Sequence, residues 1–153
     1  MALISVTRLR VRSVIYLAQF FWGTLKAMRQ AESSAGFLGG GLLVNAKNVF
    51  WTMTAWTDQA AMNAYRTGGA HLKAMPKLRE WCDEAAVVHW TQESSETPSW
   101  QEAYQRMVKE GKPSKVNHPS ADQASNHIPA PVPGQVGRIL KPAHRDANRI
   151  DHR

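Results

Sequence analysis

His71 is the residue around which chemistry is easiest to imagine. It lies in GGAHLKAMPK, where His71, Ala74, Met75 and Leu78 fall at i, i+3, i+4 and i+7 and share one helix face. A neutral imidazole on an apolar face has two readings. It is a core histidine bonded to a backbone carbonyl, or it is a ligand or proton acceptor with one nitrogen free toward a cavity. Burying it without any partner would cost about 1–3 kcal/mol, so the two readings differ in where the second nitrogen goes. On the functional reading His71 is the catalytic residue, and Met75 and either Trp51 or Trp56 line the cavity beside it. Arg8 is the further binding candidate. With Arg10 and Arg12 it ends a strand face that begins with Ile4 and Val6, a pattern that suits a solvated rim or an anion contact. His89 reads as a strand-end polar residue, because no partner histidine stands at chelating spacing, and no metal site is expected.

The elements that must position these residues follow from patterning. Ala2 to Val11 alternates as a strand, and Ser13 can cap a helix from Val14 to about Ala31. Phe37 to Asn45 is a second strand whose glycines, Gly39, Gly40 and Gly41, mark a bulge or a close approach. The polar turn 45–48 joins it to a third strand, Phe50 to Trp56. Thr57 and Asp58 cap the next helix, which ends at Gly68-Gly69. A short helix then carries His71, and Pro76 opens a further turn. AAVVHWTQ (85–92) is the fourth strand. The order β-α-β-β-α-β is the ferredoxin-like split motif: an α+β fold with a four-stranded antiparallel sheet and helices on one face. The helix-free face would be too apolar to leave in water, and a second copy, a homodimer, is its simplest cover.

Composition places limits around this core. The 153 residues fit one domain, 1–93, followed by a linker and a helix within 94–111, where Ser99 precedes Trp100, Tyr104 and Met107. Residues 112–153 hold six of the eight prolines and four of the six histidines, and they are expected to form a disordered basic tail. That tail carries 7 Lys/Arg against 3 Asp/Glu, while residues 1–111 carry 12 against 9, so the +7 charge is concentrated at the end. VGRILKPAHR is the tail's only nucleic-acid-like feature and reads as solvated, so no nucleic acid is expected as a partner. His118, His127, His144 and His152 are too far apart for a metal motif. GFLGGG precedes a strand rather than a helix, which argues against nucleotide binding. No apolar run is long enough to span a membrane, and the single cysteine, Cys82, suits a reducing compartment. VIYLAQFFWG after the arginines imitates a signal peptide, but Gln19 interrupts it and a strand precedes it, so a cytoplasmic location is expected.

The order of elements, together with GFLGG, FWTMTAW, GGAHLKAMPK and VVHW, resembles the antibiotic-biosynthesis-monooxygenase superfamily of dimeric α+β barrels. Within it the chain is similar to uncharacterised bacterial proteins akin to spheroidene monooxygenase. The likeness covers roughly residues 2–93. It implies a small monooxygenase acting on an aromatic or polyene substrate, or a non-catalytic homodimer that binds a small apolar or aromatic ligand. In the haem-degrading branch a third-strand tryptophan and a helical histidine hold the haem, roles that Trp51 or Trp56 and His71 would take. That branch also uses a first-strand asparagine, where this chain offers Ser5, Thr7 and Arg8. The cofactor implied is therefore none or haem.

Overall fold

A computed structural model describes residues 1–132 and 137–143. Four strands form the centre of one antiparallel sheet: β1 (Ala2–Val11), β2 (Phe37–Asn45), β3 (Val49–Trp56) and β4 (Cys82–Gln92). A 3-10 turn capped by the Ser13 hydroxyl leads into α1 (Leu17–Glu32). Between β3 and β4 stand α2 (Gln59–Arg66), capped by Asp58, and α3 (Gly69–Trp81). The α+β fold and the order of its first elements are as the sequence predicts. Pro76 sits inside α3 rather than opening a new turn.

Three expectations are corrected. The sheet has six strands, not four, in the order β5-β4-β1-β3-β2-β6, because β5 (Lys112–Pro113) and β6 (Gly137–Leu140) pair with its two edges. Both strands come from the stretch expected to be disordered. Between them α5 (Ala121–Ser125) docks by Gln123, whose amide accepts from Ala85 N at 3.0 Å and donates to Ala85 O at 3.1 Å. Backbone pairing, one polar clamp and a few apolar anchors (Val116, Ile128 and Leu140) thus order a segment too poor in apolar residues to build its own core. The tail residues 133–136 and 144–153, with His144 and His152, lie outside the described residues.

Helices are also not confined to one face. On β1, Leu3 and Val11 face α1, whereas Ile4 and Val6 face the opposite side with Trp51, Met53, Ala55, Val88 and Trp90. That opposite side is covered by α4 (Trp100–Glu110), which buries Ala103 and Met107 there and packs Trp100 and Tyr104 against the cluster. The glycines of β2 permit this packing and the close approach of the β3 backbone. A Cβ on Gly41 would press to 3.3 Å on Trp100, and one on Gly40 would run into the Met53 carbonyl. The register of β2 against β3 shifts between Phe37 and Gly39. The bare face that called for a homodimer is therefore occupied in cis.

Candidate functional site

The other side of the sheet encloses a cavity of about 280 Å³ beneath α1, α2 and α3. Its floor is a polar patch in an apolar sheet. Ser5 stands opposite Thr54 on one neighbour and His89 on the other, and Thr7 stands opposite Thr52, so five polar side chains face the same space. Among the described residues none of these four hydroxyls has a side-chain hydrogen-bond partner. The walls are apolar: Phe20 and Met28 from α1, Met62 from α2, and Met75 and Leu78 from α3. The tail closes part of the rim, with Ser114, Lys115 and Val116 after β5 and Leu140 in β6.

His71 enters this wall through a tight connection. Gly69 has φ +54, a left-handed backbone that favours glycine, and a Cβ there would meet Gln30 at 3.2 Å. Gln30 holds the turn from three sides: its amide donates to the carbonyls of Tyr65 at 3.0 Å and Gly68 at 2.8 Å, and its oxygen accepts from His71 N at 2.9 Å. The His71 ring then places Nδ1 at 3.3 Å from the carbonyl of Arg66. A carbonyl only accepts, so Nδ1 carries the proton and the lone pair lies on Nε2. Nε2 has no protein partner among the described residues. Burial, helped by the charge of Arg66 and opposed by the bond to its carbonyl, lowers the His71 pKa and keeps the ring neutral at pH 7. His89 is lowered in the same way, by burial and then by Arg66.

The aromatic neighbours form a relay of contacts behind His71. Tyr65 packs on it at 4.7 Å between ring centroids and stacks on Trp56 at 5.0 Å. The Tyr65 hydroxyl donates to Ala27 O, and burial raises its pKa, so it stays protonated and tethers α2 to α1. Trp56 is fully buried behind Tyr65 and does not line the cavity.

Of the predicted site residues, the structure brings only His71 and Met75 to the cavity. Trp51 and Arg8 point to the α4 side, because both stand on the opposite pleat of their strands from Thr52 and Thr7. There Arg8 is buried against Glu84 at 3.7 Å and lies 6.0 Å from the Trp51 ring. Tyr65, Arg66, Thr52, Thr54 and the tail residues were missed, and Ser5 and Thr7 were named only in place of the first-strand asparagine of the haem-degrading branch. The hydroxyls did leave a signal: Ser5 and Thr7 interrupt the otherwise apolar alternation of Leu3, Leu9 and Val11. His89, read as a strand-end residue, lines the cavity floor. Among the described residues no cluster of histidine, cysteine and carboxylate side chains could hold a metal, and no helix is long and apolar enough to cross a membrane.

The model of a domain of unknown function, DUF3291, matches residues 16–112. The chain belongs to that family. No curated protein matches its sequence. The fold is shared with solved structures at low identity. A conserved protein from Methanosarcina mazei is 14% identical with a TM-score of 0.54, over 61% of this chain and 94% of its own. A putative antibiotic biosynthesis monooxygenase from Nitrosomonas europaea is 15% identical with a TM-score of 0.54, over 60% and 90%. A cofactor-independent oxygenase from Streptomyces nogalater, in a mutant form, is 18% identical with a TM-score of 0.51, over 64% and 98%. The resemblance to the antibiotic-biosynthesis-monooxygenase proteins thus holds at the level of the fold.

Proposed function

We propose that the DUF3291 chain is a small monooxygenase whose cavity takes an oxygenated aromatic or polyene substrate, with His71 as the proton acceptor. The observation that carries this is the His71 ring: Nδ1 is committed to the Arg66 carbonyl, and Nε2 is left basic beside a ligand-sized space. Nε2 takes the proton of a phenolic hydroxyl, and the electron-rich phenolate gives its electrons to dioxygen. One oxygen atom bonds to a ring carbon that loses its hydrogen, the other leaves as water, and the substrate supplies all four electrons. The oxygenase from Streptomyces nogalater, described as cofactor-independent, supports such a reaction on this fold. Haem does not fit. Of the tryptophan and histidine that would hold it, only His71 reaches the cavity, because Trp51 faces α4 and Trp56 lies buried behind Tyr65.

The test is oxygen uptake by purified protein with naphthalene- and anthracene-type hydroquinones. We expect turnover in the native protein and its loss in His71→Ala at unchanged melting temperature. Uptake equal to the uncatalysed rate, or full activity in His71→Ala, would sink the reading. Binding without turnover would instead support the second reading, a non-catalytic ligand-binding protein, which the unassisted hydroxyl floor also suits. A homodimer, if light scattering finds one, must form through a surface other than the face taken by α4.

A further inference from the structure

The charges around the cavity are one-sided. Arg66, Arg79 and Lys115 line it, and no aspartate or glutamate does. Arg79 and Lys115 are exposed at the mouth, where water screens them. Arg66 is different. Among the described residues five arginines are buried or half-buried: Arg8, Arg10, Arg12, Arg66 and Arg106. Four of them have carboxylate partners: Arg8 and Arg10 in Glu84, Arg12 in Glu80, and Arg106 in Glu102 and Glu110. Arg66 alone has none, and it stands where its charge is felt by both His71 and His89.

A half-buried guanidinium without a counter-ion, beside an apolar wall, is suited to an acid group carried by the ligand. We propose that the ligand of this cavity is an aromatic carboxylate, held by an ion pair between its acid group and Arg66. This rests on the reading of the cavity as the binding site, and it adds the ligand's charge to it. The apolar wall of Phe20, Met28 and Leu78 would take the ring, and the strand hydroxyls would take further oxygens.

The experiment compares 2-naphthoate with its neutral isostere 2-naphthamide by calorimetry on the full chain. We expect the acid to bind at least about 10-fold tighter, as a charge-assisted pair predicts. Arg66→Gln should bring the acid's affinity down to about that of the amide, and Arg66→Lys should keep part of the preference. The preference should fall only in part at about 0.5 M salt, because Arg66 is half-buried rather than exposed. Equal binding of acid and amide to the native protein overturns the proposal while the cavity reading stands. A preference that persists in Arg66→Gln, or that vanishes in salt, also overturns it and moves the charge selection to the exposed rim. Binding of neither compound overturns both readings together. His71→Ala that loses turnover but keeps the preference supports the proposal independently of the reaction.

Discussion

On the α4 side of the sheet Trp51, Met53 and Val88 close against Ala103 and Met107, and even the charges there are paired and buried, with Arg8 3% and Glu84 2% exposed. On the α1–α3 side the same strands turn Ser5, Thr7, Thr52 and Thr54 toward a cavity. One sheet thus carries a closed face, where Arg8 Nε and Trp51 Nε1 are buried without a partner, and an open face whose hydroxyls are left for a ligand or water. The difference teaches where function can reside: hydroxyls that no protein group engages, on the wall of a cavity, are available to a ligand.

Removing the chain after Gly111 should disturb both faces most. It deletes β5, the Gln123 clamp on β4 and the buried Leu140. Burial of a leucine is worth about 1.5–3 kcal/mol and each hydrogen bond about 1 kcal/mol, so a loss above ~4 kcal/mol is expected. Calorimetry should show a melting temperature lower by about 10 °C or more; an unchanged value would mean that the tail is only draped on the sheet.

Glu84→Gln strikes the closed face alone. It leaves Arg8 buried without its counter-charge, which should cost about 3–5 kcal/mol in urea denaturation and leave the affinity for naphthoate as it was. Thr52→Val and Thr54→Val strike the open face. Neither hydroxyl has a side-chain partner, so stability should change by less than about 1 kcal/mol, while affinity for a hydroxylated aromatic acid should fall about 3- to 10-fold. If the threonine changes were as destabilising as Glu84→Gln, the two faces would not differ as argued.

The smallest effect is in pH. His71 and His89 have pKa values lowered by burial, so between their folded values and the ordinary 6.5 the unfolded chain binds more protons. Their contribution is intact above about pH 6.5 and is lost as the pH falls below it. A His71→Gln, His89→Gln double variant should therefore show a flatter stability profile between about pH 6.5 and 5.

Much of this was readable in the sequence. The limits of β1, β2 and α4 follow from alternation and from Ser99 and Gly111, and the helix face of His71, Ala74, Met75 and Leu78 is the face that lines the cavity. Aromatic strand residues were harder to assign to a side. Alternation says that Trp51 and Trp56 lie on opposite pleats, but not which pleat faces the site. The tail misled for a different reason. β5 and β6 are held by backbone bonds to sheet edges, and such bonds leave little trace in composition.

That edge pairing sets the order in which the molecule can be completed. Gly40 of β2 pairs with Leu140 of β6, so closing this edge joins residues 100 positions apart. Contacts of such span form late, after the local hairpin of β2 and β3. During synthesis the β2 edge must therefore stay open until nearly the whole chain has emerged, and for that interval it is a template for pairing with another molecule. Pulse-labelled hydrogen exchange on refolding protein should find the β6 amides protected last.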